Sequence, residues 1–394
     1  MKRLIYFILI LPIIILIGCQ SGSDTDTRPP ADPEDPTDGI SEIPQTPDST
    51  PTPESEPTPR PTPPPTPDPT PEPTPEPEPV FGFIDAHADT ISRALQLGPG
   101  QQSLYSNSAL HVDFMRLSEF EAPVQVFVAW TESRYLSTAY EHTNKMFDFF
   151  EEEVAKHSDL IEIAYDLDDI KRIASEGKIS AILAIEGGEA LMGEIENLVH
   201  FYERGVRVLG LTWNRENALG YGQATGSSQG LKPFGKEVIM KMDELGMIMD
   251  VSHLNIAGFW DAHNTSTRPY IASHSNAFGI LPHARNLHDD QIMAIVESGG
   301  IIGFNMYPLF ISPNESTTTE DIMMHFRHLI SIGAGNHIGL GCDFDGIPST
   351  PQEITDVSSL KAFREALTEE FDEQTANRIM ERNFYEFFKR YFEG

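Results

Sequence analysis

Downstream of residue 80 the chain repeats one rhythm. A short apolar run ends in polar residues, and a longer stretch with helical spacing follows. The runs are "FGFID", "APVQVFVAW", "KISAILAIEGG", "VRVLGLTWN", "LGMIMDVSH", "YIASHSN", "GGIIGFNMY" and "HIGLGCDFDG". They place strands near 81–85, 124–129, 180–185, 206–211, 246–251, 270–273, 300–304 and 337–341. Continuous rather than alternating hydrophobicity marks strands buried on both faces, as in parallel sheets covered by helices. Between them lie helical patterns such as Thr138 to His157, where Phe147, Phe150 and Val154 recur at three and four. Eight βα units in one domain predict an α/β fold closed as a (β/α)8 TIM barrel. The competitor is an open doubly wound sheet, but no GxGxxG follows the first run. The tail, Ser359 to Phe392, is charged and aromatic with helical spacing and should cap or wrap the barrel.

What precedes residue 80 cannot join that core. "MKRLIYFILILPIIILIGCQ" has Lys2 and Arg3 before an apolar run that is too short for a membrane span. That is the layout of a secretory signal. Its "LIGC" end resembles the bacterial lipoprotein signal, which implies segment 1–19 as signal and Cys19 as the lipidated residue. The barrel domain would then be exported, lipid-anchored to the bacterial cell envelope and extracytoplasmic. Residues 20–79 are Pro, Thr, Ser, Asp and Glu, with proline at nearly every second position from Pro61 to Pro79. Such a segment has nothing to bury and serves as an extended stalk. The domain at 80–394 holds only Cys342, so no internal disulfide supports it. Of the formal charge of −33, the linker carries −12 and the domain −23. Acidity on that scale excludes nucleic acid as a partner.

Barrel chemistry sits at the C-terminal strand ends. Read there, the first run supplies His87 and Asp89, "AIEGG" supplies Glu186, "DVSH" supplies His253, "ASHSN" supplies His274 and "GCDFDG" supplies Asp343. Any one of these is most simply a polar loop residue. A ring of uncompensated carboxylates at a dry barrel mouth is costly, however, and a cation removes that cost. His87 and Asp89 lie two apart and can grip one ion, while His253 and His274 can grip another. Glu186 falls between the pairs and can bridge, which makes a two-metal centre of the metal-dependent hydrolase type. Nitrogen and oxygen ligands without thiolate suggest two Zn2+, with Mn2+ or Co2+ as substitutes. A water shared by two such ions becomes a hydroxide near neutral pH and attacks a polarised carbonyl. Asp343 is the leftover carboxylate, placed to orient that hydroxide and carry its proton; Asp345 competes for the role. Arg285, in the loop after "ASHSN", is a clamp for a substrate carboxylate. Asp85 shares the parity of His87 and would support it from behind. The glycine-rich stretch Asn214 to Gly230 reads as a loop over the pocket.

The ordered pieces "DAHADT", "EGG", "DVSH", "SHS" and "GCDFDG" give the region from Phe83 to Phe388 a specific likeness. It resembles the membrane dipeptidase (renal dipeptidase) family of two-zinc metallopeptidases. The resemblance implies His87, Asp89 and bridging Glu186 on one zinc, and Glu186, His253 and His274 on the other. It implies Asp343 at the bridging water, Arg285 on the substrate's terminal carboxylate, and Tyr307 of "GFNMY" beside the substrate. The substrates it implies are dipeptides, including those with a C-terminal D-residue, and it suggests a homodimer. One position departs: "LTWNREN" carries Trp213 where renal members have a histidine. An indole donates one N–H but accepts no proton, so oxyanion contacts would fall to the metal with Trp213 or Asn214. Two rivals remain. One is another binuclear-metal amidohydrolase acting on a small amide or lactone. The other is a non-catalytic metal-containing surface binding protein, whose signature would be a missing ligand.

Overall fold

The computed structural model describes residues 78–393 except 315. The expected signal segment with Cys19, and all but the end of linker 20–79, lie outside the described residues. Nine strands are present among the described residues: β1 (Ile84–Ala88), β2 (Val124–Trp130), β3 (Ile161–Ile163), β4 (Ile179–Glu186), β5 (Val206–Gly210), β6 (Ile248–Asp250), β7 (Ile271–Ala272), β8 (Ile301–Phe304) and β9 (Ile338–Leu340). All pairings are parallel. β1 pairs with β2, β2 with β4, and β4 to β9 follow in order until β9 returns to β1. Eight strands therefore close into a (β/α)8 barrel surrounded by helices. Parallel neighbours need crossovers, and helices such as Thr90–Leu97, Ala139–Lys156, Pro233–Leu245 and Thr319–Ser331 provide them.

Three details differ from the sequence expectation. β3 is extra: its "IEI" pairs Ile161 with Ile179 at the start of β4, in a run too short to read as a strand. β6 and β7 are shorter than the runs that contain them, because the chain turns into the mouth almost at once. The Val251 amide still bonds the Ile271 carbonyl, but Leu254 already turns back onto Val251 and His253 adopts φ 68°. β1 carries a register shift between Asp85 and Ala88, so the simple alternation of "IDAHAD" does not hold along its length.

The tail is built into the barrel rather than laid over it. Phe384, Tyr385, Phe387 and Phe388 share one apolar cluster with Ile84, Val126, Ile182, Val208, Ile248, Ile271 and Ile301 from the strands. Each buried aromatic or branched side chain there contributes about 1.5–3 kcal/mol. A second, larger cluster joins Leu183, Leu209 and Phe304 to helix residues such as Phe147, Phe201, Ile239 and Phe326. The fold is held from both sides of the sheet, and the strand ends at the mouth are left to carry polar side chains. No described helix is long and apolar enough to cross a membrane.

Candidate metal centre

The polar residues that end β1, β4, β6 and β7 converge at one end of the barrel. His87, Glu186 and His274 form one triad whose ligand atoms lie within 4.8 Å of one another, and His87, Asp89 and Asp343 form a second. Glu186 Oε1 is 3.0 Å from His253 Nε2, 3.4 Å from His274 Nε2 and 3.9 Å from His87 Nε2. His87 Nε2 stands 3.3 Å from Asp89 Oδ2. The histidines, Asp89, Glu186 and Arg285 are all buried.

The far side of each ring shows which nitrogen faces the cluster. His253 Nδ1 lies 3.0 Å from Asn214 Oδ1, and a carbonyl oxygen can only accept. His274 Nδ1 and His87 Nδ1 lie 2.7 and 3.1 Å from Ser273 Oγ, which itself donates to Asp250 Oδ2 at 2.6 Å. With their protons on Nδ1, all three rings turn Nε2 lone pairs inward. Two of these, on His253 and His274, face each other at 2.8 Å. His87 Nε2 and Glu186 Oε1 are buried with no hydrogen-bond partner. Lone pairs and a carboxylate oxygen packed this closely repel unless a cation lies among them. The donor set of imidazole nitrogens and carboxylate oxygens fits divalent metal ions such as zinc.

The electrostatics agree. Burial lifts Glu186 well above the usual carboxylate range, and the Asp89 charge adds to it. Burial also raises Asp343 to about 7, again with Asp89 adding, while His87 and the Asn305 hydrogen bond oppose. Burial works against a charged His87, yet the adjacent Asp89 carboxylate, with those of Glu186 and Asp343, raises it to about 10. His253 and His274 are held well below the ordinary histidine value, mainly by burial. Protons and charges are thus mismatched in a way that a cation resolves.

Two neighbouring carboxylates of "GCDFDG" are treated differently. Asp345 accepts from the His111 and Val112 amides and from Thr90 Oγ1, so its oxygens are committed to the scaffold. Asp343 accepts from Asn305 Nδ2 at 2.9 Å on one oxygen and directs the other toward Asp89 and Gly346. A Cβ on Gly346 would sit 2.2 Å from Asp89 Oδ2 and 2.4 Å from Asp343 Oδ1, so only glycine leaves the two carboxylates room. Asp343, Asp345 and His253 have positive φ, at 61°, 67° and 68°, a conformation unusual for these side chains and concentrated here. Asp85 does not support His87. Ahead of the register shift that separates it from His87's end of β1, it accepts from the Cys342 amide at 2.7 Å and Gln125 Nε2 at 2.8 Å.

The cluster opens into a cavity of about 560 Å³ lined by Glu186, Asp343, Trp213, Asn214, Tyr307 and Phe310, with Arg93, Gln96 and Trp130 on the outer wall. Trp213 meets Trp130 edge-on at 4.9 Å. The loop 214–230 does border the site. Gly222 packs so tightly against it that a Cβ would lie 1.9 Å from the Trp213 carbonyl oxygen. Arg285 lines a neighbouring cavity of about 530 Å³, and His253 forms part of both walls. Its Nη2 donates to the His274 carbonyl at 3.3 Å and its Nε is buried without a partner. The sequence reading passed over Asp250, Ser273 and Asn305, although each stands inside a quoted motif, beside the residues those motifs were read for.

A model of the membrane dipeptidase family (Peptidase family M19) matches residues 80–391. An uncharacterized dipeptidase of Schizosaccharomyces pombe is 33% identical over 260 residues, covering 65% of this chain and 59% of that protein. The dipeptidase tcpJ of Claviceps purpurea is 32% identical over 261 residues, 63% of this chain and 61% of its own length. The chain therefore spans about three fifths of the length of these relatives. Among solved structures, that of dipeptidase AC, a metallo peptidase, matches with a TM-score of 0.74 at 26% identity, covering 80% of this chain and 100% of the other. A metallo peptidase from Rhodobacter sphaeroides, liganded with a phosphinate mimic of the dipeptide L-Ala-D-Ala, matches in fold with a TM-score of 0.72 at 24% identity, over 79% and 99% of the two chains. The family match runs from the first strand to the last helix and takes in every member of the cluster; this chain belongs to the membrane dipeptidase family.

Proposed function

We propose that the protein is a metal-dependent dipeptidase with two Zn2+ per chain, exported and lipid-anchored through Cys19. The observation that carries the reading is the inward-facing set of His87, His253 and His274 Nε2 atoms around the unpartnered Glu186 Oε1. In it His87, Asp89 and Glu186 would hold one ion, and Glu186, His253 and His274 the other. Two cations held there would supply Lewis acidity to a peptide carbonyl and to a water. Asp343, fixed through Asn305, takes the proton from the attacking water and passes it to the leaving amine nitrogen. Water adds to the carbonyl carbon and the C–N bond breaks, leaving two amino acids. Trp213 and Tyr307 wall the cavity, and the Trp213 indole N–H is a donor for a developing oxyanion. Arg285 is the cation for a free C-terminal carboxylate, and C-terminal D-residues are included among the substrates.

One observation favours a broader amidohydrolase: Arg285 lines the second cavity and not the first. A panel of dipeptides, free or amidated at the C-terminus, separates the two. We expect turnover of free dipeptides, abolished by chelator and restored by Zn2+, with amidated ones at least tenfold slower, about the effect of one lost charged hydrogen bond. Equal turnover of amidated substrates would remove the dipeptidase reading and leave the amidohydrolase one.

A further inference from the structure

Ser273 stands at the end of β7, directly before His274, and is buried. Its hydroxyl makes three contacts, with Asp250 Oδ2 at 2.6 Å, His274 Nδ1 at 2.7 Å and His87 Nδ1 at 3.1 Å. A hydroxyl has one hydrogen and two lone pairs, so three partners saturate it only if one accepts and two donate. Asp250 settles which one accepts. Its Oδ1 takes the Ser252 and Ser273 amides at 2.9 and 2.8 Å, which fixes the carboxylate with Oδ2 toward the hydroxyl. The serine hydrogen goes to Asp250, and both rings must bring hydrogens on Nδ1.

We propose that Ser273 is a positioning residue shared by both halves of the metal centre: one hydroxyl, oriented by Asp250, sets the tautomer of His87 and of His274 together. This rests on the two-metal reading above, in which those histidines serve different ions. A histidine ligand ordinarily has its own outer partner, and His253 does have one in Asn214. His87 and His274 share theirs, and their ring centroids are only 3.8 Å apart. The two ions are then not independent: whatever disturbs Ser273 loosens a ligand of each.

The test is Zn2+ titration of the metal-stripped full chain against a chromophoric chelator, read as two affinities. The wild type should take two equivalents. Ser273→Ala should lose about 10- to 100-fold at both sites, the usual effect of removing an outer-shell partner. Asp250→Asn keeps the number of heavy atoms. Held by the same two amides through its oxygen, it presents an N–H to the serine, whose own hydrogen must then go to one ring. That ring turns N–H toward the ions, so at least one site should weaken comparably. Imidazole nitrogen NMR on the metal-free protein should show a proton on Nδ1 of both His87 and His274 in the wild type and one of those two Nδ1 protons lost in Asp250→Asn, which also shows that the variant is folded. A Ser273→Ala protein that weakens one site only, or neither, overturns the proposal. A wild type that takes fewer than two equivalents overturns the two-metal reading itself.

Discussion

In the proposed two-metal reading, the two halves of the site are built by opposite means. His87 lies inside β1, with Asp89 two residues on at the start of the helix Thr90–Leu97, so the sheet and its exit place both. His253 stands three residues past β6, in left-handed backbone, and needs Asn214 from the loop after β5 to hold its ring. Such a conformation costs roughly 1–3 kcal/mol at a non-glycine residue and persists only where its surroundings enforce it. A ligand on a strand is positioned by the main chain, and a ligand on a loop by side-chain partners. The second kind should be the easier to disturb one side at a time.

Glu186 is where the comparison should fail most completely, because it belongs to neither half alone. Its Oε1 reaches toward His87, His253 and His274 from the end of β4. Glu186→Gln keeps the shape and removes the charge. We expect bound zinc to fall below two per chain and kcat/KM to drop by about 10³-fold or more, the scale of losing several kcal/mol of metal-borne stabilisation. Two retained zincs with activity within tenfold of wild type would show that Glu186 does not bridge. Asp343→Asn comes next and should separate chemistry from metal. Asn305 can still donate to the amide oxygen, so zinc content should stay at two while kcat falls by about 10²- to 10⁴-fold, the range for a lost general acid–base group. Loss of zinc in this variant would make Asp343 a ligand instead.

The same contrast decides what the sequence disclosed. The barrel was legible because continuous apolar runs and helical spacing are local signals that repeat. Ligands at strand ends were legible because a barrel collects its strand ends at one place. β3 was hidden by its length, and Asp85 was misplaced because a register shift inside β1 breaks the alternation on which its reading depended. Asp250, Ser273 and Asn305 were hidden for a different reason. Serine, asparagine and buried aspartate have the same appearance in a string whether they finish a turn or orient a ligand. Their partners lie 20 to more than 180 residues away, as with Ser273 and His87, and only the folded chain brings them into reach.

The smallest effect is the most specific to the loop-borne half. Asn214 was read from the sequence as a substrate contact, and it does line the cavity, yet its Oδ1 is the partner of His253 Nδ1. Asn214→Ala leaves that N–H facing space beside Trp213, free to rotate or to lose its tautomer. His87 and Asp89 keep every contact they have, since nothing on their side passes through the loop. The expected result is one zinc site weakened by about tenfold and the other unchanged, at the low end of outer-shell effects. KM should move little, whereas a residue that mainly touched substrate would raise KM and leave both zinc affinities alone. Equal loss at both sites would mean that the loop steadies the whole mouth, and the distinction between strand-borne and loop-borne ligands would not hold. Loss at one site alone would make His253 the hinge through which residues 214–230 govern a single ion.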